Sequence, residues 1–357
     1  MPLHVPSEFH GSVAHDGKVT DQVLKVPTLK DGEVLVKMIC SGVCHTDLHT
    51  MKGDFKGFQK DAVVVGHEGV GRVVLHGPGV TETDMPLGTR VGLPWMHKSC
   101  GNCDECRSGW ETLCGQMGCT GCSEDGTLAE YAKFPAAFLA PIPDGLSDEQ
   151  AAPILCAGVT TYKALKESAV RPGQWIAITG AGGGLGHLAV QYAKAMGMRV
   201  CGLDGGSAKM KFLHSLGCDA CVDFTQSADV GEEIRKATGG GAHGVILLAA
   251  VSKSFTQAID YLRPRATAVC VSLPTGNFGV PHTSIVLKCV NFKGSYVGTR
   301  LDMAEAMQFA ADGKVKCQVE VREGLDHLPK IFEEMEAGKI NGRIVIKIGS
   351  CDGASPN

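Results

Sequence analysis

A glycine-rich run, GAGGGLG at Gly180–Gly186, lies between an apolar five-residue segment, Trp175–Thr179, and a helical pattern. In that pattern Leu185, Leu188, Ala189, Tyr192 and Met196 recur at helical spacing, and Gly197 suits the helix end. A strand, a tight glycine turn and a helix in this order let backbone N–H groups meet a pyrophosphate at a helix N-terminus. Leu185 stands where a strict GxGxxG has its third glycine, so the run reads as a GGLG ending with one extra residue. Gly180, Gly183, Gly184, Leu185 and Gly186 are the candidate phosphate-binding positions. The next strand, Arg199–Leu203, ends in Asp204, eighteen residues after Gly186. An acidic side chain there is placed to hydrogen-bond the adenosine ribose hydroxyls. A plain turn former before Gly205 and Gly206 is the simpler reading of Asp204, and the preceding strand and glycine turn weigh against it.

The alternation continues downstream. A helix from Ser207 leads to a strand at Ala220–Asp223, and Asp229–Ala237 leads to one at Gly244–Ala249. Ser254–Leu262 leads to Ala266–Ser272, with a last strand near Val290–Val297. Six strands with intervening helices predict an α/β unit, a doubly wound parallel sheet of the Rossmann type, about 140 residues long. Val34–Cys40 and the glycine-punctuated stretches to about Ala140 read as β-rich and irregular. A chain of 357 residues, 44% apolar and 20% charged, accommodates two such units.

Four cysteines in CGNCDECRSGWETLC, Cys100, Cys103, Cys106 and Cys114, have the spacing of a tetrahedral zinc site. Gly101 and Gly109 permit the tight turns of such a knuckle. Four thiolates leave no open position for chemistry, so the zinc is structural. The downstream pair Cys119 and Cys122 competes for the ion, and the compact upstream set is preferred. Sixteen cysteines with no apolar secretory run at the N-terminus point to thiols in a reducing, cytoplasmic compartment.

A second metal site would draw on separated segments: Cys44, Thr46, Asp47 and His49 in SGVCHTDLH, His67 and Glu68 in GHEGVG, and Cys156 in PILCAG. Each is weak alone, because a single His or Cys is more often packed or solvated than a ligand. These stretches, with GHEGVGRVV, APILCAGVTTYKAL, LAVQYAKAMG and GSYVGTR, closely resemble the zinc-dependent medium-chain alcohol dehydrogenases, in particular their yeast-type fungal branch. The resemblance runs from about Val34 to Ile346.

That resemblance implies a catalytic zinc on Cys44, His67 and Cys156, with Glu68 close behind the metal and Asp47 orienting His67. It implies that the Cys100 cluster holds a second zinc. It gives Thr46, the cofactor ribose and then His49 the proton path outward, and Arg343 the cofactor pyrophosphate; Lys209 lies near enough to Asp204 in sequence to join the nucleotide site. It places the β-rich segments in a partly open, GroES-like barrel made of residues 1–157, with the zinc lobe at about 97–116, and of residues 299–357. Residues 158–298 form the cofactor domain, and the active site is expected in the cleft between the two. The reaction implied is hydride transfer between a primary or secondary alcohol and NAD, in a homotetramer. Phe55, where the branch commonly has tryptophan, Trp95, and Leu273, where it often has methionine, would line a substrate pocket larger than ethanol needs.

Other function classes fit less well. Thirty-four basic against thirty-eight acidic side chains give a net charge of −4 with no Lys/Arg stripe, which argues against a nucleic-acid binder. The longest apolar stretches fall short of the roughly 18 residues a membrane helix needs. A zinc-ribbon module would leave most of the chain unexplained, and a non-zinc quinone reductase would lack both metal sets. The alternative is an NADPH-preferring two-zinc aldehyde reductase acting on a larger or specialised-metabolite substrate. Such an enzyme should carry a small residue in place of Asp204 with a basic one beside it, whereas Gly205 and Gly206 follow here.

Overall fold

The computed structural model describes residues 5–349 and divides into two compact units. The first comprises Met1–Cys156, Thr299–Gln308 and Gln318–Asn357, and the second Ala157–Gly298 and Phe309–Cys317. No helix among the described residues is long and apolar enough to cross a membrane.

The first unit is built on the eleven-residue strand Glu33–Val43, whose alternate side chains include the buried Val34, Val36 and Met38. Glu68–His76 runs antiparallel along one edge of it. The other edge is shared by Tyr131–Pro135, against its first half, and Arg343–Lys347, against its last four residues. The sheet continues outward through Arg90–Leu93 and Ala140–Pro141 on one side and Val319–Glu323 on the other. Register shifts at Leu35/Val36 and Met38/Cys40 bend the long strand, as bulges do where a sheet curls. Lys18–Lys25, Glu8–His15 and Val63–Val64 form a smaller antiparallel sheet. The helix Leu328–Glu336 buries Leu328, Ile331, Phe332 and Met335 with Leu48, Ile344 and Ile346. Each such side chain contributes about 1.5–3 kcal/mol when taken out of water. This packing ties the C-terminal segment to the helix that begins at His45.

In the second unit six parallel strands lie in the order Ala220–Asp223, Arg199–Asp204, Trp175–Thr179, Ala242–Leu247, Leu262–Cys270 and Asn291–Gly294. Counted along the chain this is third, second, first, fourth, fifth, sixth, the doubly wound arrangement. All five residues of Trp175–Thr179 are buried, as a central parallel strand requires. The helix Gly186–Ala195 follows it and buries Leu188, Ala189 and Tyr192. Asp229 caps the helix Val230–Thr238 by accepting from Glu232 N at 2.9 Å. A further helix, His282–Lys288, precedes the last strand, which is only four residues long. Residues 309–317 group with this unit and not with the rest of the C-terminal segment. The Phe309 ring packs on Tyr162 and Tyr192, with centroids 5.7 and 5.9 Å away, and the Gln191 side-chain amide accepts from Lys316 N and donates to Lys316 O.

Candidate metal and cofactor sites

The strand Glu33–Val43 delivers the chain to Cys44, and the helix His45–Lys52 starts immediately after it. Asp47, fully buried in the first turn of that helix, organises the surroundings. Its Oδ2 accepts from Cys44 N at 2.8 Å, and its Oδ1 accepts from Gly66 N at 3.1 Å and from His67 Nδ1 at 2.8 Å. Three N–H donors satisfy a carboxylate that burial would otherwise penalise. With Nδ1 donating to Asp47, His67 presents Nε2 as its lone-pair nitrogen, and that atom is buried without a hydrogen-bond partner. Gly66 has φ of +98°, and a Cβ there would stand 2.7 Å from Leu128 N, so only glycine fits.

Cys156 arrives from elsewhere in the chain. Ser147 caps the helix Asp148–Pro153, which widens into a π-helical turn at Ile154–Gly158 that carries the cysteine. Turns of this kind concentrate at functional sites. Donor atoms of Cys44, His67, Glu68 and Cys156 all lie within 4.8 Å of one another, and all four residues are buried. A hydrogen bond from Cys156, helped by Arg343 and His67, holds the Cys44 thiol well below its ordinary range although burial opposes this. Burial pushes the Glu68 carboxyl up to about 8 against the pull of the Arg343 guanidinium. Beside the two buried thiols, His67 Nε2 and Glu68 Oε2 are left without hydrogen-bond partners, and a divalent soft cation would satisfy the set. The residues fit zinc.

Around this cluster, Thr46 Oγ1 lies 3.7 Å from Cys44 Sγ. The half-exposed His49 pairs with Asp54, Nδ1 to Oδ2 at 2.7 Å. The Trp95 ring meets His67 edge-on at 5.1 Å, and the Phe55 ring stands 6.2 Å from Trp95. Leu273 belongs to the second unit and is 87% exposed. Arg343 is buried, and its guanidinium hydrogen-bonds Glu68 within the first unit. The family resemblance implies a pyrophosphate contact for Arg343, and no local pattern in the sequence points to Glu68.

The sulfurs of Cys100, Cys103, Cys106 and Cys114 also lie within 4.8 Å of one another. Backbone N–H groups of Cys103 and Gln116 point at Cys100 Sγ and Cys114 Sγ at 3.3 and 3.4 Å. Those of Asn102 and Cys103 hold Cys100 down at about 6. Gly101 and Gly109 take φ of +71° and +83° at the two turns. N–H groups aimed at sulfur suit thiolates on a metal. Cys119 and Cys122 are buried outside both clusters, and burial raises Cys122 to about 12.

In the second unit the glycine turn closes tightly. Gly183 N donates to Gly180 O at 3.0 Å, and a Cβ on Gly186 would stand 2.1 Å from that same oxygen. Leu185 caps the helix, and its carbonyl accepts from Leu188 N and Ala189 N. Asp204 closes the loop from the side, accepting from Gly182 N at 2.7 Å and Gly205 N at 2.8 Å. Lys209 Nζ donates to Gly182 O at 2.7 Å. Gly184 completes the turn.

Comparison with known proteins identifies the family. Residues 30–144 match the alcohol dehydrogenase GroES-like domain, and residues 184–312 match the zinc-binding dehydrogenase domain. An alcohol dehydrogenase of Geobacillus stearothermophilus is 48% identical over 90% of this chain and 93% of its own length. The chain belongs to the zinc-dependent alcohol dehydrogenases. Alcohol dehydrogenase 1 of Neurospora crassa is 46% identical over 90% of this chain and 92% of its own. Among solved structures, acetophenone reductase from Geotrichum candidum in complex with NAD superposes with a TM-score of 0.86 at 28% identity, covering 99% of this chain and all of that one. The alcohol dehydrogenase of Aeropyrum pernix gives 0.85 at 28% identity, covering 95% and 99%. Zinc is accordingly the metal that suits the two clusters of this dehydrogenase.

Proposed function

We propose that this dehydrogenase interconverts primary alcohols larger than ethanol and their aldehydes, with NAD as the hydride carrier. The observation that carries the reading is the cluster of Cys44, His67 and Cys156 oriented by Asp47, together with an acidic residue, Asp204, closing the nucleotide turn. When bound, zinc and nicotinamide supply Lewis acidity at the substrate oxygen and a hydride acceptor for the carbon. Cys44, His67 and Cys156 hold the metal, and Asp47 keeps His67 in the tautomer with Nε2 free to ligate. Glu68 stays in reserve behind them, neutralised by Arg343. Thr46 would take the substrate hydroxyl proton only while giving up its own, as a relay, and half-exposed His49 would return a proton to solvent. The Asp204 carboxylate would receive the adenosine ribose and repel a 2′-phosphate, while Lys209 softens that repulsion. Gly180, Gly183, Gly184, Leu185 and Gly186 would take the pyrophosphate. We assign Arg343 to this phosphate site only through a guanidinium that also holds Glu68.

Substrate size rests on Phe55. Phenylalanine has one ring fewer than indole, and it stands beside Trp95, which packs on a zinc ligand. Each additional buried methylene is worth about 0.8 kcal/mol, or roughly fourfold in efficiency. Initial rates for ethanol, butanol, hexanol and benzyl alcohol, each with NAD and NADP, test the reading. The expected result is higher kcat/KM for hexanol and benzyl alcohol, with NAD preferred. Efficiency falling steadily from ethanol would reject the substrate class, and equal efficiency with both cofactors would reject the role of Asp204.

The assembly is proposed to be a homotetramer in the cytoplasm. Support comes from the short edge strand Asn291–Gly294, preceded by Val286 and Leu287 at 70% and 83% exposure. Sixteen cysteines, six of them in the two metal clusters, suit a reducing compartment. Sedimentation at a monomer mass would refute the tetramer.

A further inference from the structure

Outside both metal clusters, the second unit holds a Cys-x-x-Cys pair, Cys218-Asp219-Ala220-Cys221. It links the helix Ser207–Ser215 to the edge strand Ala220–Asp223. The two thiols hydrogen-bond each other. His214 Nδ1, on the helix, lies 3.7 Å from Cys221 Sγ. Cys221 is partly exposed and Cys218 is buried, its sulfur so close to the backbone that a Cβ on Gly202 would stand 3.0 Å from it. Between the two, Asp219 is pinned by Val200 N and Lys194 Nζ, each 2.7 Å from its Oδ2. The turn between the two cysteines is therefore fixed by its central carboxylate. Hydrogen bonding to Cys218 lowers the Cys221 thiol, and the same contact together with burial raises Cys218. The arrangement has the asymmetry of an exchange couple, with one accessible sulfur that loses its proton more readily and one sheltered sulfur within reach of it.

We propose that Cys218 and Cys221 form a thiol–disulfide exchange site that reacts with small-molecule disulfides of the glutathione type. The Cys221 thiol gives its proton to His214 Nδ1, and its sulfur attacks one sulfur of glutathione disulfide. That S–S bond breaks and one glutathione leaves, taking up a proton. Cys218 then attacks the Cys221 sulfur, breaking the mixed disulfide, and its proton goes to the departing sulfur of the second glutathione. Two protein thiols are oxidised to one disulfide, and one glutathione disulfide is reduced to two thiols. Neither cysteine touches the metal clusters, so the reaction leaves both untouched.

The test equilibrates the zinc-loaded full chain in a series of glutathione disulfide to glutathione ratios, quenches in acid, alkylates, and maps peptides by mass. The peptide containing residues 218–221 is expected to lose two hydrogens and to resist alkylation at the oxidising end, with recovery on adding dithiothreitol and with zinc content unchanged throughout. Cys218→Ser should accumulate one glutathionyl group on Cys221, because the resolving sulfur is gone. Cys221→Ser should leave Cys218 reduced. Complete alkylation of both thiols across the whole series, in protein that retains its zinc and activity, would overturn the proposal and return the pair to ordinary packing.

Discussion

Arg343 hydrogen-bonds Glu68 inside the first unit, although 275 residues separate them in the chain. The strand Glu33–Val43 runs between their two strands, and its Gly42 faces Glu68 on one side and Val345 on the other. A Cβ on Gly42 would stand 2.0 Å from Glu68 Oε2. The absent side chain at Gly42 is what lets a buried acid and a buried base meet across an intervening strand.

Gly42→Ala should therefore displace the Glu68 carboxylate and loosen its pairing with Arg343. Overpacking of this kind costs about 1–3 kcal/mol. A thermal or denaturant unfolding curve within error of wild type would show that the sheet absorbs the methyl freely.

Asp47→Asn retains the shape but offers an amide where His67 Nδ1 needs an acceptor with charge. Loss of such a partner typically lowers metal affinity or activity about 10–100-fold. Zinc retention under mild chelation and kcat/KM should both fall, with the Cys100 cluster still loaded. Unchanged chelation kinetics would mean that the tautomer of His67 is fixed by something else.

Cys103→Ser opens the four-thiol lobe and Cys44→Ser opens the other cluster, with different consequences. The first should lower the unfolding temperature, because the metal there contributes folding free energy. The second should abolish turnover and leave the melting curve nearly unchanged. Elemental analysis giving about one zinc per wild-type chain would contradict both expectations.

Asp204→Gly removes the carboxylate that closes the glycine turn through Gly182 N and Gly205 N. The ratio of kcat/KM for NAD over NADP should drop by about tenfold or more, equivalent to about 1.4 kcal/mol. A ratio that does not move would leave Asp204 a loop-closing residue only.

His97 gives a pH signature of its own. It is buried against Phe134, ring centroids 4.4 Å apart, and burial pushes it from 6.5 down to about 4. The unfolded chain binds this proton below about 6.5 and the folded chain only near 4. Its contribution is thus complete above pH 6.5 and is lost as pH falls through that window, up to roughly 3 kcal/mol. Denaturant midpoints from pH 7 to 4 should fall less steeply for His97→Phe than for wild type. Parallel curves would assign the acid sensitivity to other groups.

Legibility in the sequence followed periodicity and local spacing. Trp175–Thr179 announces itself because four consecutive apolar residues and a β-branched threonine ahead of a glycine turn have one use in a doubly wound sheet, and the four-cysteine lobe because its ligands lie within fifteen residues. Strands such as Val63–Val64 and Gly118–Cys119 are two residues long, too short to show any period, so the first unit reads only as irregular β structure. The helix His282–Lys288 lacks a buried face and left no amphipathic signature. Glu68 with Arg343 was beyond reach for a different reason. Their contact depends on sheet register and on a missing side chain at Gly42, and neither is written next to the residues concerned. The contacts of Phe309 and Gln191 that tie residues 309–317 to the second unit are of the same kind.

The π-helical turn at Ile154–Gly158 makes this dehydrogenase intolerant of length variation at one place. An α-helix advances about 100° per residue. Removing a single residue between Pro153 and Cys156 would regularise the helix and rotate the cysteine by about that angle about the helix axis, away from Cys44 and His67. An insertion would swing it the other way. Surface loops elsewhere can gain or lose residues at small cost, whereas here indels would be purged even when every ligand residue is retained.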